Sequence, residues 1–247
     1  MNRRSFFKFL GIGAAAAVVA PKVLAGKPSK IEYTVDDWEW TPIQTHVNRS
    51  IDGLTIFEEP HEGYDYSIGV ETGDGLGGSP SVVSVMRVGK DREPDVQVAE
   101  FSSSHHNGAK LVPIIAQIAR KYGEKCVNPR GPMIVIEQVS APGDVTQDQL
   151  KKMGSKRFFK VSGNTRDKNG KNVPWIREGW YTTKFSGELM MDRFTEAVKS
   201  GWYKPQSMQL GGDLTVAGGT KYPTAWVRAA AQSYVGYHSF DEDKRNA

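Results

Sequence analysis

Residues 133–137, MIVIE, constrain the fold more than any other stretch of the chain. Four consecutive apolar residues without polar alternation are of the kind found in a strand buried on both faces of its sheet. The preceding residues supply the rest of that sheet. Residues 64–70 alternate towards Ile68 and Val70, 81–88 (SVVSVMRV) are rich in β-branched residues, and 96–101 (VQVAEF) alternate again, with Gly, Pro and Asp between them. Three consecutive strands joined by turns make an antiparallel meander. Residues 110–122 then place Leu111, Ile114, Ile115, Ile118 and Ala119 on one helical face, with Pro113 tolerable only in a first turn. Downstream, 146–153, 188–199 and 224–234 read as helices and 157–161 as a strand. The order predicts an α/β fold with a mixed sheet and helices on both faces.

The first 25 residues are of another kind. Arg3 and Arg4 open an RR-x-F-F-K pattern, and residues 9–20 form an apolar run too short to cross a bilayer as a stable helix. Val23, Leu24 and Ala25 offer the small residues a signal peptidase favours. This segment resembles a twin-arginine export signal, which implies a periplasmic destination. Residues 26–62 are polar, acidic and aromatic, without sustained periodicity, and read as a lead-in to a single domain over 63–240, with a charged tail over 241–247.

Four of the basic residues, Arg3, Arg4, Lys8 and Lys22, lie in the leader and no acid does, which leaves 28 basic against 28 acidic residues. Global charge therefore says nothing about nucleic acid, but its distribution does. From 151 to 184 there are ten Lys or Arg against Asp167 and Glu178. The single cysteine, Cys126, excludes an internal disulfide and any zinc site built from several thiolates. No G-x-x-x-x-G-K-[ST] is present to hold a nucleotide, and no G-x-S-x-G to mark a serine nucleophile. Gly73, Gly75, Gly77 and Gly78 read as a hairpin, because no P-loop helix follows. His105 and His106 read as a polar capping loop before a helix.

Four segments carry a resemblance. Residues 66–78 read YSIGVETGDGLGG, a strand ending in an acid before a Gly-rich hairpin; 133–143 read MIVIEQVSAPG, a buried strand ending in Glu with a Gly six residues later. Residues 179–184 read GWYTTK and lead into a helix, and 224–234 read TAWVRAAAQSY. In this order they resemble the nuclease domain of tailed-phage large terminases, over about two thirds of the chain. The resemblance implies a ribonuclease H-like fold and a metal-dependent DNA endonuclease. It also implies double-stranded DNA, a motor ATPase, a small terminase and a portal as partners, and the host cytoplasm as the place of action.

Phosphodiester hydrolysis needs an activated water and a means of taking up charge on the leaving oxygen, and two divalent ions about 4 Å apart supply both. Mg²⁺ or Mn²⁺ prefers carboxylate oxygen, so acids projecting from one sheet edge form a cradle. Placed in the family's register, Glu71 and Glu137 are the catalytic, metal-holding acids, with Asp74 in the following turn as a further ligand. Two ions are expected. Lys151, Lys152, Lys156, Arg157, Lys160 and Lys184 are candidate phosphate contacts. The chain departs from the family in two places: Glu71 stands where Asp is usual, and no Asp precedes the last helix, where the family carries one or two. Asp213 is the nearest upstream acid. Two other readings stay open: a catalytically silent DNA-binding domain of the same fold, and an exported periplasmic protein of unrelated function.

Overall fold

The computed structural model describes residues 51–138, 141–166, 168, 170–207, 209–210 and 224–245. The leader and most of the lead-in, with the export signal expected there, lie outside the described residues, as does Asp213. The strands are β1 (Leu54–Ile56), β2 (Tyr66–Glu71), β3 (Ser81–Arg87), β4 (Asp95–Ser103), β5 (Met133–Ile136), β6 (Lys160–Arg166), β7 (Asn172–Glu178) and β8 (Tyr203–Lys204). The helices are α1 (Gly108–Gly123), α2 (Ala141–Lys152), α3 (Lys184–Lys199) and α4 (Ala225–Arg245). The main sheet runs β1-β4-β3-β2-β5, with β8 on β4 and β6-β7 as a separate ribbon. β2, β3 and β4 form the antiparallel meander, while β5 joins β2 in parallel. This is the mixed α/β sheet of the ribonuclease H-like fold. Among the described residues no helix is long and apolar enough to cross a membrane.

The central strands are covered on both faces. Ile134 and Ile136 pack with Ile68 and Val70 under Leu111, Ile115 and Ile118 of α1. Met133 and Val135 face the other way, towards Phe194 of α3 and Val227, Ala231 and Val235 of α4. Each apolar residue of β5 thus serves one of two cores, which is why the run contains no polar position.

Several boundaries differ from the sequence reading. β1 lies within the segment read as lead-in and pairs with β4, so the sheet begins before residue 63. α1 starts at Gly108, capped by Asn107, whose Oδ1 accepts from the Lys110 amide at 3.1 Å. Pro113 therefore falls in the second turn, and the carbonyl it frees belongs to exposed Ala109, on the watered side of the helix. β7 has no sequence signature because nearly all of it is exposed, and its Pro174 is tolerated in a two-stranded ribbon. α4 continues to Arg245, through much of the stretch read as a tail.

Candidate active site

The parallel register of β2 and β5 sets Val70 opposite Ile136, and the Glu137 amide donates to the Val70 carbonyl at 3.3 Å. The residues that follow, Glu71 and Glu137, therefore leave the sheet side by side at the carboxyl ends of adjacent parallel strands, where open α/β sheets bind their ligands. The two carboxylates lie within hydrogen-bonding reach. Glu71 is buried and Glu137 half-buried. Burial, followed by the charge of Glu137, pushes the Glu71 carboxyl up to about 7, against the pull of Arg228 in the other direction. Two carboxyls this close either share a proton or take up a cation.

The flanks of Glu137 are built from distant segments. Residues 157–159 run along the outer edge of β5, with the Ile134 amide donating to the Arg157 carbonyl and Phe159 to Ile134. Trp180 continues that edge: its amide donates to Ile136 at 2.8 Å, and Gln138 donates to its carbonyl at 2.7 Å. These contacts anchor the base of the β6-β7 ribbon, where Lys160 pairs with Glu178, beside Glu137. Gly143 is needed where it stands, since a Cβ there would fall 2.0 Å from the Glu137 carbonyl oxygen. Gly179 has φ +92°, and a Cβ would meet the Gln138 side chain.

Sequence reasoning missed Arg228 and Gln232. Both project from α4 towards Glu71: the Arg228 Nε and Nη2 donate to one carboxylate oxygen at 2.9 and 2.8 Å, and the Gln232 Nε2 donates to the other at 3.1 Å. Their i,i+4 spacing puts them one turn apart on one face. That spacing, two polar residues within an Ala- and Val-rich helix, was the available signal. Gln232 is fully buried, and its Oε1 has no hydrogen-bond partner among the described residues. A buried orphan carbonyl oxygen on a residue whose amide nitrogen touches Glu71 is an oxygen donor of the kind a hard divalent ion prefers.

The remaining candidates divide. Asp74 is exposed in the β2-β3 hairpin, where its Oδ1 accepts from the Leu76 amide at 2.9 Å. Among the described residues no group of three or more His, Cys, Asp or Glu is arranged to hold a metal ion. His106 bonds Ser103 through Nδ1, at 2.7 Å, in the loop that leads to the α1 cap.

Of the basic residues, Lys152 and Lys156 are exposed. Lys151 and Lys160 are exposed and reach Glu178, at 2.5 and 3.4 Å. Lys184 opens α3. Arg157 corrects the sequence reading: it is 4% exposed and its Nη1 pairs with Asp65 at 2.6 Å, so it holds the core together and offers no phosphate contact.

No protein-family model matches the chain, and no curated protein matches it in sequence. Among solved structures it is similar to the large terminase nuclease of thermophilic phage G20c with bound zinc, at TM-score 0.53 and 14% identity over 78% of this chain and 92% of that one. The same nuclease with bound magnesium gives TM-score 0.53. The large terminase nuclease domain of Thermus phage P74-26 gives 0.51 at 14% identity, over 78% and 90%. At that identity the likeness is one of fold, the ribonuclease H-like fold of phage terminase nucleases.

Proposed function

We propose that this chain is a metal-dependent DNA endonuclease domain of the kind that large terminases use in DNA packaging. The observation that carries this reading is the meeting of Glu71 and Glu137 at the ends of two parallel strands, in a fold shared with nucleases crystallised with zinc, cobalt and magnesium. Glu137, the more accessible of the pair, and Glu71 behind it hold Mg²⁺ or Mn²⁺, with Asp74 as an outer candidate ligand. A divalent ion there supplies a Lewis acid for the phosphate and lowers the pKa of the attacking water. The surrounding residues position the substrate. Lys152 and Lys156, with Lys151, Lys160 and Lys184, lie on the segment that flanks Glu137 and bring a duplex to the carboxylate edge. Double-stranded DNA is the substrate, and a motor ATPase, a small terminase and a portal are the partners this role implies, acting in the host cytoplasm.

One observation favours a second reading, a silent DNA-binding domain: Arg228 already neutralises Glu71. Cleavage of supercoiled plasmid in Mn²⁺, Mg²⁺ or EDTA separates the two. Nicking that requires either ion and stops with EDTA supports the endonuclease. Cleavage indifferent to EDTA removes it, and DNA retention without cleavage in either ion selects the silent domain.

A further inference from the structure

We propose that Arg228 is a built-in cation of this site, taking the place of one of the two divalent ions that such a carboxylate cradle ordinarily holds, so that the chain binds a single ion. The inference rests on the metal-nuclease reading above and specifies its metal content.

The geometry is that of a filled position. Both Glu71 oxygens already accept from the protein, one from two guanidinium nitrogens at 2.9 and 2.8 Å and the other from the Gln232 amide at 3.1 Å. The helix bearing Arg228 is seated on the sheet without clearance, which fixes the distance between its backbone and Glu71. A Cβ on Gly69 would lie 1.9 Å from the Ala229 carbonyl oxygen and 2.7 Å from the Ser233 amide, and one on Gly236 would lie 2.6 Å from a Val135 methyl. The backbone positions of Arg228 and Gln232, on either side of the contact, are thereby set over Glu71.

Charge gives the same answer. Two divalent ions beside a guanidinium would crowd three cations around two carboxylates, and their mutual repulsion opposes filling both positions. With one ion the two carboxylates, the guanidinium and the ion carry a net charge of about +1, which the single charge of a phosphodiester offsets, whereas a second ion would raise it to about +3. Glu137 remains as its carboxylate donor, with Glu71 shared between ion and guanidinium. Arg228 is 28% exposed, so the same guanidinium stays at the mouth of the site. There its planar fork is suited to a phosphate oxygen.

Mn²⁺ titration of the full chain, with free ion followed by electron paramagnetic resonance, tests this. The expected result is one Mn²⁺ per wild-type chain, one for Arg228→Lys, and two for Arg228→Asp, which replaces the cation by a ligand. Circular dichroism checks the fold of each variant. Should Arg228→Asp fail to fold, Arg228→Gln is expected to bind its first Mn²⁺ about tenfold more tightly, since about 1.4 kcal/mol of repulsion is removed. Two ions in the wild type, or a stoichiometry and affinity that no Arg228 substitution alters, would overturn the inference while leaving the nuclease reading intact. A wild-type chain that binds no Mn²⁺ overturns both.

Discussion

Gly69 of β2 lies directly beneath Ala229 of α4, so close that no side chain fits between strand and helix. The consequence reaches the site two residues further along the strand. Glu71 emerges from the same face of β2 as Gly69, and the helix held against Gly69 carries Arg228 and Gln232 to its carboxylate. A single absent side chain thus sets the distance between the acid and its partners.

Gly69→Ala is therefore expected to lower stability by about 1–3 kcal/mol through overpacking and to displace α4 from Glu71. Urea denaturation checks the first effect and Mn²⁺ affinity the second. An unchanged midpoint together with unchanged affinity would show that the contact is not a constraint.

Asp65 and Arg157 should control acid stability. Burial raises the Asp65 carboxyl, but the Arg157 hydrogen bond and charge outweigh it, aided by bonds from Cys126 and the Tyr66 amide, and hold it below its ordinary value. A carboxyl depressed in the folded state contributes stability above its unfolded pKa, about 3.9, and loses it as pH falls through the folded value. Asp65→Asn is expected to cost about 3–5 kcal/mol near neutrality, because it leaves a buried guanidinium without its counter-charge. Its denaturation midpoint should converge with that of the wild type on acidification. A constant gap from neutrality down to about pH 2, well below that unfolded value, would contradict the assignment.

The exposed lysines should behave differently from Arg157. Lys152→Gln combined with Lys156→Gln is expected to weaken DNA binding and flatten the dependence of log affinity on log salt by about 2, close to one unit per lost phosphate contact. Stability should barely move. An unaltered salt slope would place the DNA elsewhere.

The sequence disclosed what periodicity encodes. The apolar run 133–136 marks a doubly buried strand and the order of elements implies helices on both faces, and α1 and the α3-α4 pair provide them. The meander was readable because each strand has one apolar rhythm. β7 was not, since a ribbon exposed on nearly all sides has no hydrophobic pattern to display. Glu71 and Glu137 stand out only through the resemblance, whose motifs put an acid at the end of each of those strands; a strand-end Glu alone carries no such signal. Arg228 and Gln232 do not stand out, because their meaning depends on which strand the last helix crosses, a tertiary fact set by Gly69 and Gly236. Arg157 misled because a basic residue among lysines looks like surface, and only its partner Asp65, 92 residues away, shows otherwise.

Glu137→Gln keeps the size and much of the hydrogen bonding of the side chain while removing its charge, so it probes the carboxylate pair most directly. Mn²⁺-dependent nicking of supercoiled DNA should fall by about 100-fold or more, in line with losing a key electrostatic group, with the thermal midpoint within a few degrees of the wild type. A Glu137→Gln protein that nicks DNA at the wild-type rate in Mn²⁺ would contradict the role assigned to the two glutamates.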